Sequence, residues 1–145
     1  MSFVPQNALK SYQSVGAHAQ VAAADPYRLV QLMFGSVIER LATARGHMLR
    51  QETARKGELV SKVIAVLNTL DASLNHVQGG EVAANLHSLY TYMVVRLLRA
   101  NAENDARGLD EVAGLMRSVK EGWDGIAAEA RPGGPAVANA GVPAP

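Results

Sequence analysis

The sequence predicts an all-α protein, an antiparallel four-helix bundle with a short N-terminal docking segment and a disordered C-terminal tail. Four segments of roughly 20 to 26 residues carry apolar side chains at helical spacing. The connections between them are short, which leaves each helix only one direction in which to pack on its predecessor. No segment shows the alternation of apolar and polar residues that is typical of strands.

The chain divides into a leader, one helical domain and a tail. Residues 1–24 hold scattered apolar side chains in a polar, alanine-rich sequence, and we expect them to dock on the body as a lid. Asp25 and Pro26 mark the start of the bundle, residues 25–130, since a capping carboxylate precedes a proline at the first helical position. Residues 131–145 are rich in Pro, Gly and Ala and are predicted to be disordered.

The first helix is predicted to run from Pro26 to about Arg50. Leu29 and Leu32 lie off its core stripe and are candidates for covering by the leader or by a neighbouring helix. The predicted stripe consists of Val30, Met33, Phe34, Val37, Leu41, Ala44 and Met48.

A charged stretch, 51–58, separates the first helix from the second, and Arg50, Arg55 and Lys56 are interpreted as a solvated corner. Gly79 and Gly80 are predicted to close the second helix, because glycine readily takes the left-handed conformation that ends helices. The predicted core face of the second helix consists of Leu59, Val60, Val63, Val66, Leu67, Leu70, Leu74 and Val77.

The third helix, predicted from Gly79 to Asn101, is apolar over most of its circumference. With about 100° between successive residues, Tyr92 and Val95 lie on the side opposite the core stripe, and Leu98 lies about 120° from its centre. Two interpretations remain open: a helix buried on several sides, or one side in the core and another lining a groove for a partner. The predicted core stripe consists of Val82, Leu86, Leu89, Tyr90, Met93, Leu97 and Ala100.

The fourth helix is predicted to begin near Asp105, a plausible capping residue after a turn at 101–105. Its apolar residues again recur at helical spacing. They are Leu109, Val112, Leu115, Met116, Val119, Trp123, Ile126 and Ala130.

Composition and charge exclude several kinds of protein. The formal charge is +1 and the basic residues are spread among acids, so no nucleic-acid partner is expected. No membrane insertion is expected either, because Arg96 interrupts the best apolar run and a bilayer needs about 20 apolar residues. Cysteine is absent and the N-terminus lacks the features of a secretory signal, so a cytoplasmic location is predicted.

No catalytic residue, metal site or cofactor is predicted. None of the glutamates has a histidine three residues later, as a di-iron bundle requires, and the four histidines are too scattered for a metal pair on one helix. Neither His47 nor His87 has the lysine and small residue that support a phosphotransfer histidine. Such a module remains a distant alternative, and a generic helical adaptor a nearer one.

Helix three carries a motif made of Gly79-Gly80-Glu81, Ala83, Asn85-Leu86, Leu89-Tyr90, Tyr92-Met93, Leu97-Leu98 and Ala100-Asn101. Weaker matches are Tyr12, Pro26, Leu29-Val30, Leu32-Met33-Phe34, Leu109, Glu111-Val112, Leu115 and Trp123. Together these residues closely resemble the flagellin-specific export chaperone family, FliS. The resemblance covers most of the body and excludes the tail.

The resemblance implies a cytoplasmic, mostly four-helix chaperone and not an enzyme. Its partners would be the C-terminal segment of newly made flagellin and a flagellar export gate component. The chaperone would prevent premature polymerisation of flagellin and assist its type III secretion. In the family the client wraps round the bundle in extended and helical pieces, and the leader can occupy part of the same surface when no client is bound.

These implications lead to a hypothesis about the partner-binding residues. Methionine adapts its shape readily, which suits a surface that covers a disordered client, although it also fills cores. Internal packing is the alternative for every residue. The predicted binding residues are Ile64, Tyr92, Val95, Leu98, Met93 and Met116. The predicted lid residues are Leu9, Tyr12 and Val15.

Overall fold

A computed structural model describes residues 25–130, which form four α-helices. They are α1 (Pro26–Leu49), α2 (Thr53–Ala72), α3 (His76–Glu103) and α4 (Ala106–Ala130). Each helix packs on its neighbours in the chain, and α1 also packs on α4, so α1 and α3 are diagonally opposite in the bundle. The prediction of an all-α four-helix bundle is confirmed for the residues that the structure describes.

The start of α1 follows the predicted signal. The Asp25 carboxylate accepts hydrogen bonds from the backbone N–H groups of Tyr27 and Arg28, at 3.1 and 3.3 Å, and Pro26 occupies the first turn. All residues of the predicted stripe, from Val30 to Met48, are buried. The helical periodicity therefore identified the core face of α1 correctly.

The start of α2 differs from the prediction. The helix begins at Thr53, within the charged stretch, and Lys56 is buried with only 4% of its surface exposed. Its ammonium group donates to the backbone oxygen of Asn101 and to the side-chain oxygen of Asn104, both at 3.0 Å. The interpretation of Lys56 as a solvated residue is wrong, because the end of α3 supplies oxygen acceptors for the buried charge.

The boundary between α2 and α3 is also corrected. The first of these helices ends at Ala72, and the side chain of Asn75 accepts a hydrogen bond from the backbone N–H of Gln78 at 3.0 Å, capping α3 before the two glycines. Gly80 interrupts α3 with a kink (φ 51°, ψ −123°), a conformation open to glycine. The paired glycines therefore lie inside α3 and do not close α2.

Two predicted core valines near this kink are exposed. Val77 lies in the first turn of α3 and is 94% exposed, and Val82 is 48% exposed. Asp71, close to the end of α2, pairs with His87 of α3 at 2.7 Å. Because α2 ends at about this level, the earlier turns of α3 extend beyond it and lose its cover.

The turn between α3 and α4 is compact. Asn104 takes the left-handed conformation (φ 55°) that ends α3, and the Asp105 carboxylate accepts from the backbone N–H of Arg107 at 3.0 Å, as predicted for a capping residue. The next turn brings α4 close to α3: a Cβ atom added to Gly108 would lie 2.5 Å from the Cβ of Ala100. Only glycine fits this crossing without a shift of the helices.

An aromatic group joins α4 to the start of α1. The indole N–H of Trp123 donates to the backbone oxygen of Tyr27 at 3.0 Å. The Trp123 ring also lies 5.5 Å from the Tyr27 ring and edge-on to Phe34 at 6.3 Å, between ring centres. In the part of the chain that the structure describes, no helix is long and apolar enough to cross a membrane.

Candidate partner-binding surface

One side of α3 belongs to the core and another faces solvent. Tyr90 and Leu97 are almost completely buried. In contrast, Tyr92, Val95 and Leu98 are 46%, 53% and 55% exposed. These three lie one turn apart along the helix and form a single strip of large apolar side chains, which we call the α3 outer face.

The two predicted methionines are not part of this surface. Met93 and Met116 are 0% exposed and belong to the core between the helices. Each follows the helical spacing of buried neighbours, so packing and not partner contact explains its position. The adaptability of methionine is compatible with both roles and could not distinguish them.

A cleft between α2 and α3 borders the α3 outer face on one side. It is lined by Asn68, Asp71, Tyr90, Thr91, Val94 and Val95. Ile64 is half-buried against the core, one helical turn before Asn68, and the antiparallel register places it level with Val94. Ile64 therefore lies on the side of α2 that borders this cleft.

A cavity of about 270 Å³ between α3 and the start of α4 borders the outer face on its other side. It is lined by Tyr92, Val95, Arg96, Arg99, Glu103 and Asp105. Four of these six residues carry charged side chains, whereas the lining of the α2–α3 cleft contains a single one, Asp71. The outer face thus separates a cleft with one charged side chain from a more highly charged one.

Glu111 of α4 connects the two helices at this charged border. Its carboxylate accepts one hydrogen bond from the hydroxyl of Tyr92 and a second one, at 2.8 Å, from the Nε of Arg96. The bond from Tyr92 and the bond from Arg96 hold the pKa of Glu111 below its usual value. The same bond to Glu111 raises the pKa of Tyr92, so its hydroxyl stays protonated and donates.

The sequence did not single out Glu111 or Arg96 as residues of this site. They are separated by a turn and 15 positions in the chain, and their contact depends on how α3 and α4 pack. Glu111 appeared only among the weaker family matches. Acidic and basic residues occur on adjacent helices so often that the sequence alone does not show which of them will form a pair.

The remaining site predictions have different outcomes. Leu9, Tyr12 and Val15, the predicted lid, lie outside the residues that the structure describes. Among the side chains that the structure describes, those of residues 25–126, no cluster of three or more His, Asp or Glu could hold a metal ion. His47 pairs with Glu52 at 2.7 Å, in the turn between α1 and α2.

Comparison with known proteins assigns this chain to a family. Residues 8–130 match the family described as Flagellar protein FliS. The chain belongs to the FliS family. The chain is 49% identical to the flagellar secretion chaperone FliSB of Pseudomonas aeruginosa over 119 residues, which cover 82% of this chain and 94% of the relative.

Two further FliS relatives match over nearly their whole length. The flagellar secretion chaperone FliS of Salmonella typhimurium is 38% identical over 123 residues, covering 84% of this chain and 91% of the relative. That of Vibrio cholerae is 34% identical over 124 residues, covering 86% and 91%. FliS proteins are flagellar secretion chaperones, so membership makes this chain an export chaperone and not an enzyme.

Proposed function

We propose that this chaperone binds the C-terminal segment of flagellin in the cytoplasm, prevents its premature polymerisation and assists its type III secretion. An export gate component is the second proposed partner. The observation that carries the proposal is the α3 outer face, where Tyr92, Val95 and Leu98 remain about half exposed on a folded bundle. The family resemblance supplies the identity of the client.

The chemistry of the surface suits such a client. Large apolar residues that form one strip on a soluble bundle mark an interaction site more often than scattered exposed residues do. A client segment that is disordered as a monomer needs an extended contact to cover its apolar side chains. The strip borders the α2–α3 cleft, where Val94, Val95 and the half-buried Ile64 offer further apolar surface.

Co-purification tests the identity of the client. Tagged chaperone is mixed with full-length flagellin or with flagellin lacking its C-terminal segment, and the captured protein is measured on a gel. We expect capture of the full-length protein only. Equal capture of both would favour the generic helical adaptor, and capture of neither would contradict flagellin binding altogether.

A matched pair of substitutions tests the surface. Val95→Glu places a charge in the centre of the α3 outer face, and we expect at least about tenfold weaker binding by calorimetry, because a buried carboxylate without a partner is costly. Val77→Glu makes the same change at a 94% exposed valine of the same helix and should leave the affinity unchanged. Equal effects of the two variants on the affinity would mean that the client does not bind at the α3 outer face.

The proposed lid needs a separate experiment. If Leu9, Tyr12 and Val15 cover part of the client surface, the affinity of the whole chain falls by the fraction of molecules that are open. Removal of residues 1–20 should then tighten binding to a flagellin C-terminal peptide. Unchanged or weaker binding by calorimetry would argue against a competing lid.

A further inference from the structure

The exposed ring of Tyr92 is tied to a different helix. Its hydroxyl donates to the Glu111 carboxylate of α4, while its ring belongs to the α3 outer face beside Val95. The side chain therefore spans the charged border between the two helices. Neither Val95 nor Leu98, the aliphatic members of the same face, can form such a bond.

The carboxylate that holds Tyr92 is itself held in place. Arg96 donates to one oxygen of Glu111 at 2.8 Å, which leaves the second oxygen to the tyrosine hydroxyl. The Arg96 side chain is only 17% exposed and also lies 3.8 Å from the Asp105 carboxylate, so its own position is restricted. Two α3 residues and one α4 residue thus form a connected polar group beside the apolar strip.

This arrangement affects how the surface meets a partner. A free surface tyrosine samples several rotamers and loses that freedom when a partner covers its ring, which weakens binding. A ring already fixed by a hydroxyl bond loses less. The bond also satisfies the polar end of the side chain, so that the ring can be covered without leaving the hydroxyl unpaired.

We infer that Glu111 is a positioning residue for client binding, which acts by holding the Tyr92 ring in place on the α3 outer face. The inference rests on the proposed function, since it takes flagellin as the client of that face. Glu111 contributes through Tyr92 and makes no essential contact with the client. Arg96 supports it by fixing the carboxylate.

A double-mutant cycle tests this role. Calorimetry measures the affinity of the whole chain for a flagellin C-terminal peptide with Tyr92→Phe, with Glu111→Ala and with both changes. Each single change should weaken binding about three- to tenfold, the effect of one hydrogen bond. The double variant should be no weaker than either single variant, because both remove the same bond. Additive losses would mean that Glu111 acts independently of Tyr92 and would overturn the inference.

Two further variants separate positioning from general structural damage. Asp110→Ala removes the neighbouring acid of α4, which pairs with Arg45 at 2.8 Å towards α1, and should leave the affinity unchanged. Glu111→Gln keeps an oxygen that can accept from Tyr92 and should recover most of the affinity lost in Glu111→Ala. Thermal unfolding of each variant verifies that the bundle is intact.

The outcomes distinguish this inference from the proposed function. If the unmodified chain fails to bind the flagellin peptide, the proposed function fails. If it binds and both single variants bind equally well, only the role of Glu111 fails. Tighter binding by Glu111→Ala together with weaker binding by Tyr92→Phe would show that the client itself takes the tyrosine hydroxyl, and would also overturn the inference.

Discussion

The ammonium group of Lys56 donates a hydrogen bond to the side-chain oxygen of Asn104, 3.0 Å away, and so joins the start of α2 to the residue that ends α3. The same group donates to the backbone oxygen of Asn101. Because Lys56 is only 4% exposed, these two oxygens take the place of water as hydrogen-bond acceptors for its side chain. This contact fixes the end of the bundle next to the charged border of the α3 outer face.

Replacement of Lys56 by methionine should destabilise the protein. Methionine preserves much of the aliphatic packing but leaves the two oxygens without their donor, at a cost of about 1–3 kcal/mol. Urea unfolding followed by circular dichroism measures the change. Lys62→Met, at an exposed position of the same helix, should change the free energy of unfolding by less than about 0.5 kcal/mol. Similar losses in both variants would contradict a specific role for Lys56.

Two glycines of α4 should respond in opposite directions to alanine. Gly108→Ala puts a methyl group 2.5 Å from the Cβ of Ala100 and should cost about 1–3 kcal/mol as the helices shift apart. Gly114→Ala meets no atom within 4 Å and should stabilise the helix by about 0.5–1 kcal/mol. Thermal unfolding compares the two. Equal stability of the Gly108→Ala and Gly114→Ala variants would contradict a close contact between α3 and α4 at Gly108.

Glycine at position 51 should stabilise the turn between α1 and α2. Gln51 has φ 61°, a left-handed conformation that is unfavourable for residues with a Cβ atom. Gln51→Gly removes this strain, and after the entropy cost of glycine we expect a net gain of about 0.5 kcal/mol in denaturant unfolding. Ser73→Gly serves as the comparison, because Ser73 ends α2 with φ −88° and has no such strain to lose. A gain in both variants would indicate a general effect of flexibility.

Acid should weaken the connection between α3 and α4 through Glu111. Its pKa is lowered in the folded protein by its hydrogen bonds to Tyr92 and Arg96, so the carboxylate binds its proton less readily than in the unfolded chain. The resulting stability is present above the ordinary value of 4.5 and is lost as the pH falls through the lowered pKa. Urea midpoints at about pH 6 and about pH 3 should therefore differ less in Glu111→Gln than in the unmodified chain. An identical pH dependence would exclude this contribution.

The sequence alone was sufficient to predict features that depend on a single helix. The spacing from Val30 to Met48 identified the buried side of α1, and Asp25 with Pro26 identified its start. It also separated Tyr92 and Val95 from the core side of α3. In each case one helical period, or one local hydrogen bond, determines the result.

Competing local signals made the boundary of α3 uncertain. Asn75 is a favourable capping residue, while Gly79 and Gly80 favour the end of a helix. The structure uses both: Asn75 starts α3, and Gly80 kinks it. Which signal dominates depends on where α2 ends against α3, and that is a property of the packed bundle.

Contacts between helices were beyond prediction from the sequence. The burial of Lys56 and the bond from Tyr92 to Glu111 require the register of one helix against another. Charged residues are compatible with solvent at almost any position, so their types carry little information on such partners. The folded bundle turns these ordinary residues into fixed elements at the edge of the proposed client surface.

The position of Trp123 has a practical consequence for optical work on this chaperone. It is the sole tryptophan of the chain, and its indole is enclosed by Tyr27 and Phe34 of α1. Its emission will therefore follow the melting of the α1–α4 contact, whereas the α3 outer face contains no indole to report occupancy. Since the sequence also has no cysteine, one thiol introduced at an exposed site can carry a dye as the sole labelled position. Tryptophan emission can then report folding and dye emission can report client capture, at two separate wavelengths in the same sample.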